Sequence, residues 1–319
     1  MKILLTGKTG QVGYELERSL QGLGEIIALD RSQMDLTNAD QIRQVIAAVK
    51  PNLIINPAAY TAVDRAESES ELAMQINGIA PGVLAEEAKK IGAALIHYST
   101  DYVFDGSKRG ANGDLIPYTE DDLPNPINVY GKTKLAGEQA IIASGCKHII
   151  FRTSWVYSSH GKNFLLTMLR LAKERTRFDI VADQYGAPTS AQWIAQVTAH
   201  FVKRAIAECG AETSTKTMEL PLGGICNLVC GGYTTWCEFA QEIISQAHKR
   251  GLLVGAMPTI HPIPSAQYPA VAQRPINSTL SVQRLQAVLP ITIPDWQSAL
   301  LACLNDMNDK IKKKSEAEY

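Results

Sequence analysis

The chain has 319 residues, 45% hydrophobic and 20% charged, with 31 Lys+Arg against 32 Asp+Glu and a net charge of −1. This composition excludes disordered and fibrous chains, and the balanced charge lacks the basic excess of a nucleic-acid binder. No stretch approaches the ~20 apolar residues needed to span a bilayer, and the apolar run Ile3–Leu5 is too short for a signal-peptide core, so a cytoplasmic protein with neither nucleic-acid nor membrane partners is expected.

In chain order, Lys2–Thr6 reads as a short apolar strand, Gln11–Leu23 as a helix and Glu25–Asp30 as a second strand. Asp40–Lys50 is helical, with Ile42, Val45, Ile46 and Val49 at helical spacing, and Pro51–Asn56 is a third strand. Glu67–Gly78 and Pro81–Ile91 read as two helices, the latter with Pro in its first turn. Ala93–Ser99 is a strand, Asn128–Ala143 a helix and His148–Val156 a strand. Apolar strands alternating with helices imply an α/β fold whose parallel sheet is buried on both faces. Beyond Val156 the rhythm changes: helices at Phe164–Arg175, Gln192–Glu208 and Trp236–Arg250, a strand at Gly224–Val229, a polar loop over 210–222, and five prolines without periodicity between Pro258 and Pro275. The expected division is a dinucleotide-binding domain of residues 1–157, joined by 223–250, and a substrate-binding domain of residues 158–222 and 251–319.

The first strand runs directly into Gly7-Lys-Thr-Gly10-Gln-Val-Gly13 and then a helix. In that setting Gly7 permits the tight turn, Gly10 lets the backbone approach a pyrophosphate, Gly13 lets the helix pack close to the sheet, and the helix N-terminus presents its free N–H groups. Asp30 ends the next strand, where a carboxylate binds a ribose 2′-hydroxyl and favours NADH. Arg31 and Lys8 are placed to neutralise a 2′-phosphate, which favours NADPH. Asp35 and Leu36 follow, within range of an adenine.

Tyr130-Gly-Lys-Thr-Lys134 puts a phenol and an ammonium on one helical face. A phenol with a pKa near 10 is a poor acid–base group at neutral pH, and a neighbouring cation is expected to lower that pKa and stabilise the phenolate. Thr100, at the end of the strand preceding that helix, sits where open α/β sheets place ligands and can donate to a substrate carbonyl or to the tyrosine oxygen. The six histidines form no metal or triad pattern, and His97 reads as a core residue. The six cysteines lack zinc-ligand spacing and read as reduced, buried thiols.

Taken with the segments "NPAAYTAVDRAE", "HYSTDYVFDG", "PNPINVYGKTKLAGE", "FRTSWVY", "DQYGAPTSA" and "QRPINSTL", the chain resembles the extended short-chain dehydrogenase/reductase family over nearly its whole length. The resemblance implies a Rossmann-type doubly wound sheet with a smaller C-terminal α/β domain. It further implies reduction of the C4 keto group of dTDP-4-dehydro-L-rhamnose by NADPH or NADH, with Tyr130 as proton donor, Lys134 holding the nicotinamide ribose, and Thr100 assisting. By the same resemblance Gly10, Gln11 and Val12 cradle the pyrophosphate, and Ala59, Tyr60, Thr61 and Tyr98 line the cofactor groove. Thr100, Asp101 and Trp155 contact substrate, with Asn163, Arg170 and Arg274–Ser278 as weaker candidates. Arg170, Lys173 and Arg274 are cations available to a diphosphate. Some relatives dimerise around Mg²⁺ held by glutamates. Glu15 matches one such position, but Gln192 and Gln297 stand at the others, so a monomer or weak homodimer without a bridging metal is expected. Asp64 and Glu67 read as a solvated loop and helix start. Two alternatives stand beside this reading: another nucleotide-sugar ketoreductase or an epimerase of the same fold, and a non-catalytic cofactor-binding regulatory subunit. An intact Thr100, Tyr130 and Lys134 set argues against the regulatory subunit.

Overall fold

A computed structural model describes residues 1–209, 220–221 and 223–317. The loop expected over 210–222 therefore lies almost wholly outside the described residues. Five strands, β1 (Lys2–Leu5), β2 (Glu25–Ala28), β3 (Leu53–Asn56), β4 (Ala94–Thr100) and β5 (Lys147–Thr153), join the strand Gly224–Asn227 in one sheet. All its pairings are parallel, and the spatial order is Gly224–Asn227, β5, β4, β3, β1, β2. The chain adds β2 on one side of β1 and then returns to add β3 on the other. That reversal opens a crevice beyond the carboxyl ends of β1 and β3, where such sheets bind ligands.

Strand periodicity divides the side chains between two cores. Ile3, Leu5, Leu53, Ile55 and Ile96 face α1 (Gln11–Ser19) and the long helix Ala191–Cys209. Leu4, Ile54, Leu95 and Ile150 face α2 (Ala39–Val49) and the helices Ala80–Ile91 and Val129–Ser144. A further core gathers Leu165, Met168, Phe239, Ile243, Trp296 and Leu300 from the helices Phe164–Glu174, Trp236–Lys249 and Trp296–Ala317. This packing cuts across the expected boundaries. Helix Ala191–Cys209, assigned above to the second domain, closes the face of the main sheet, and helix Trp236–Lys249, assigned to the first, builds the second core.

Three local readings change. The two helices expected over 67–91 are one path: Ser70–Met74 passes through a π-bulge, Gln75–Ile79, into Ala80–Ile91. The proline-rich stretch contains a strand, Thr259–Ile263, paired in parallel with an equally unexpected strand, Arg177–Val181. Pro262 lacks an N–H, but in a two-stranded sheet an edge position tolerates it. The strand expected to run to Val156 stops at Thr153, because Trp155 turns into the left-handed region at φ 46°. Among the described residues no helix is long and apolar enough to cross a membrane, and Cys146, Cys226, Cys230, Cys237 and Cys303 are free and buried.

Helix Val129–Ser144 is anchored to the sheet by a buried fork. Arg152 on β5 donates through Nε and Nη2 to Glu138 at 3.0 and 2.6 Å, with both side chains only 1% exposed. Removing one partner strands a buried charge. Glu138→Ala is expected to cost about 3–5 kcal/mol of stability, measured by denaturant unfolding, and the double variant Glu138→Ala with Arg152→Met to recover much of it. A loss under 1 kcal/mol would mean the pair is solvated.

Candidate functional site

The crevice is a cleft of about 690 Å³. Its floor is the loop between β1 and α1. Gly7 takes φ +58°, and a Cβ there would stand 2.9 Å from that of Ala58. At Gly13 a Cβ would lie 2.1 Å from the Gly7 carbonyl oxygen, so only glycine lets the helix start this close to the strand. Gly10 caps α1 without a side-chain acceptor, which leaves the first-turn N–H groups facing the cleft. These features fit a pyrophosphate.

Of the residues named from sequence, Gly7, Gly10, Gln11, Val12, Gly13, Ala59, Thr61, Tyr98, Thr100, Asp101, Tyr130, Lys134, Trp155, Asn163 and Arg274 line this one cleft. The others do not. Leu36 is buried in the core against α2, and Asp35 spends its carboxylate on the Thr37 N–H and hydroxyl, both at 2.9 Å. Tyr60 donates its phenol to Glu69 at 2.6 Å and turns from the groove, while Arg31 is exposed and paired with Asp35. Asp30 lies beyond the loop, its carboxylate held by Ser32 and 3.5 Å from Lys8. The Ser32 hydrogen bond keeps Asp30 below the ordinary carboxylate range.

Several assigned side chains reach different partners from those expected. Tyr98 turns its phenol into the core, 2.8 Å from Thr198, and offers the cleft its carbonyl. Asn163 caps the helix Phe164–Glu174 and donates to Gln11 at 2.9 Å, so it grips the phosphate loop. Arg274 forms a fork with Asp64 at 3.1 and 2.6 Å, so Asp64, still half-exposed as read from sequence, also has a partner on a distant segment. Arg170 is exposed and paired with Glu174, and Lys173 is exposed too. The cations Arg175 and Arg177, missed in sequence, line instead a second cleft of about 1140 Å³ that shares Trp236 and Arg274 with the first. Trp236 was missed as well. It stacks on Trp155 at 3.6 Å, and an alternating aromatic pair split across two distant segments leaves no signal in sequence.

The reactive groups are set by burial. Tyr130 is pushed up to about 12, chiefly by burial, with Thr100 opposing and Asp101 adding to the rise. This reverses the expectation that Lys134 would draw the phenol down. The Lys134 ammonium points elsewhere, donating to the Tyr98 carbonyl at 2.6 Å and lying 3.2 Å from His97 Nε2, and desolvation brings it down to about 8. The Thr100 hydroxyl donates to Asp101 at 2.9 Å, accepts from the Tyr102 N–H, and also hydrogen-bonds the Tyr130 phenol, where it opposes the rise. Asp101 also accepts from Ser154 at 2.9 Å, yet burial raises it to about 6. Asn77, in the π-bulge, accepts from the Tyr60 N–H and donates to Thr133, tying the loop after β3 to the helix that carries Tyr130.

Among the described residues no three His, Cys, Asp or Glu side chains are grouped to hold a metal. Glu15 is raised by burial, with Lys310 and Arg18 beside it opposing that rise. Asp306, paired with Lys310 at 2.6 Å, adds to the rise.

Comparison with known proteins agrees with this geometry. The family described as the RmlD substrate binding domain matches residues 1–309. The chain belongs to this family. It is 43% identical over 311 residues to dTDP-4-dehydrorhamnose reductase of Escherichia coli strain K12, covering 96% of this chain and 98% of that one. It is 44% identical over 308 residues to the enzyme of the same name from Burkholderia thailandensis, covering 96% and 99%. A crystal structure of dTDP-4-dehydrorhamnose reductase from Bacillus anthracis strain Ames, in complex with NADP, superposes with a TM-score of 0.81 at 33% identity, covering 96% of this chain and 99% of that chain. The doubly wound fold expected from sequence is therefore the family's fold.

Asp101 supplies a pH test. Its folded pKa lies above the unfolded value, so its contribution to stability is complete below about pH 4 and lost as pH rises through about 6. Asp101→Asn is expected to match wild-type stability at pH 4 and to exceed it at pH 8, by at most about 3 kcal/mol. A pH-independent difference in thermal unfolding would show that the carboxyl is not the cause.

Proposed function

We propose that the protein reduces the C4 keto group of dTDP-4-dehydro-L-rhamnose to dTDP-L-rhamnose, using NADPH or NADH. The observation carrying this is the convergence of the glycine turn, Tyr130, Lys134 and Thr100 on one cleft in a chain that matches reductases of that name end to end. Bound NAD(P)H supplies hydride to the sugar carbon.

The chain's own residues do the rest. Gly7, Gly10, Gly13 and the first-turn N–H groups of α1 hold the pyrophosphate. Tyr130, protonated at neutral pH, gives its proton to the carbonyl oxygen as negative charge develops there. Thr100, hydrogen-bonded both to Asp101 and to the phenol, holds Tyr130 in place. Lys134 supplies a buried positive charge on the same helix that would favour the phenolate left behind, and it is the residue that would hold the nicotinamide ribose. The stacked Trp155 and Trp236 wall the sugar, and Arg175, Arg177 and Arg274 meet the nucleotide diphosphate in the adjoining cleft.

The cofactor-binding part comprises residues 1–157 with 191–209 and 224–229, and the remainder builds the substrate side. With Gln192 and Gln297 in place of carboxylates, the proposal has no bridging metal and a monomer or weak homodimer, and the free buried thiols accord with the cytoplasm.

Tyr130→Phe is expected to lower kcat by about 10²–10⁴-fold with NADPH affinity little changed, assayed as NAD(P)H oxidation with the product identified. Wild-type turnover in that variant removes Tyr130 from the mechanism. Asp30→Ala is expected to weaken NADH more than NADPH in fluorescence titrations, and the opposite order would mean that Asp30 does not meet the ribose.

A further inference from the structure

A line of polar groups runs through the interior behind Lys134. His97, on β4 and fully buried, has Nε2 at 3.2 Å from Lys134 Nζ and Nδ1 at 3.0 Å from Asn56 Nδ2. Asn56, at the end of β3 and also fully buried, accepts from the Thr6 hydroxyl at 2.6 Å through Oδ1. Neighbouring strands thus place Thr6, Asn56 and His97 side by side, ending on the lysine. A buried polar chain of this kind is costly unless every member is satisfied.

The line can run in either of two directions. In one, Asn56 donates to His97 Nδ1, so Nε2 carries the imidazole proton and donates to a neutral Lys134 amine. In the other, the Lys134 ammonium donates to Nε2, Nδ1–H donates to the Asn56 carbonyl oxygen, and the amide, turned over in the same space, donates to Thr6. Both keep His97 neutral, as desolvation foremost and the charge of Lys134 dictate.

We propose that His97, backed by Asn56, is a positioning residue that holds the Lys134 amino group in place in both protonation states and, by accepting from the ammonium, sets the pH at which its charge is lost. The other groups near Lys134 do not replace this contact. On its own helix, Glu138 raises the lysine's pKa but is forked to Arg152 of β5, and Tyr130 is a neutral phenol at neutral pH. From β4 come the Tyr98 carbonyl and, toward the cleft, Thr100 and Asp101, whose hydrogen bond is to each other.

The proposal rests on Lys134 belonging to the reducing site, so the test carries one readout that needs no turnover. In His97→Gln the side-chain amide stands where Nε2 was. In His97→Asn it reaches only as far as Nδ1 and cannot meet the lysine. Each variant is titrated by NMR of ¹⁵N-lysine-labelled apoprotein, with the Lys134 signal assigned through Lys134→Met, and by the alkaline limb of kcat with NADPH and the keto sugar. His97→Gln is expected to keep the wild-type titration. His97→Asn is expected to lower it by about one unit, with kcat about tenfold lower at pH 8.5 and KM for the sugar within twofold. Equal titrations in the two folded variants overturn the proposal, whatever their thermal stabilities. A shifted NMR titration without a shifted limb upholds the contact and removes Lys134 from the reaction.

Discussion

Putting the Lys134 ammonium in the interior, where desolvation draws it down to about 8, obliges the surrounding chain to provide acceptors for it. One is the Tyr98 carbonyl, next after the point where the pairing of β4 with β3 ends, at Asn56 and His97. The other is His97, itself held by Asn56. Three adjacent parallel strands thus converge on one amino group. The same convergence places the helix carrying Tyr130 against the carboxyl edge of the sheet, beside the glycine turn. A buried cation is tolerable only where such acceptors meet, and they meet at the crevice the strand reversal creates.

The cleft is finished by contacts from the chain's second core. Asn163 grips Gln11 of the phosphate loop, Arg274 forks onto Asp64, and Trp236 stacks on Trp155, whose left-handed backbone turns the indole over the opening. Each joins a segment of the nucleotide-binding sheet to one far away in sequence. The two clefts meet at Trp236 and Arg274, so one continuous groove spans reactive groups and cations. That arrangement suits a substrate with a reducible sugar at one end and a charged nucleotide at the other.

Much of this was legible in the chain before its folding was seen. The glycine spacing, the tyrosine and lysine one helical turn apart, and the strand end at Thr100 are local patterns, and each sits where the reading put it. The errors have a common origin. Asp35, Tyr60 and Arg31 have the right residue types near the groove, but each is claimed by a neighbour in space. Arg170 and Lys173 lie on the solvent side of a helix whose continuation carries Arg175 and Arg177 to the second cleft. The strand Thr259–Ile263 was hidden by its prolines, because its partner, not its propensity, makes it a strand.

What the sequence by itself determined is whatever depends on spacing along one segment: the alternating strands and helices, the phosphate turn, and the shared face of Tyr130 and Lys134. Only the tertiary structure decided the protonation of those groups and their partners. The pKa of a phenol or ammonium follows from how much water is excluded and which acceptors lie within about 3 Å, and residues far apart in the chain supply both. Hence Tyr130 rises to about 12 despite the lysine on its own helix, and His97, an unremarkable strand residue when read in line, stands against that lysine.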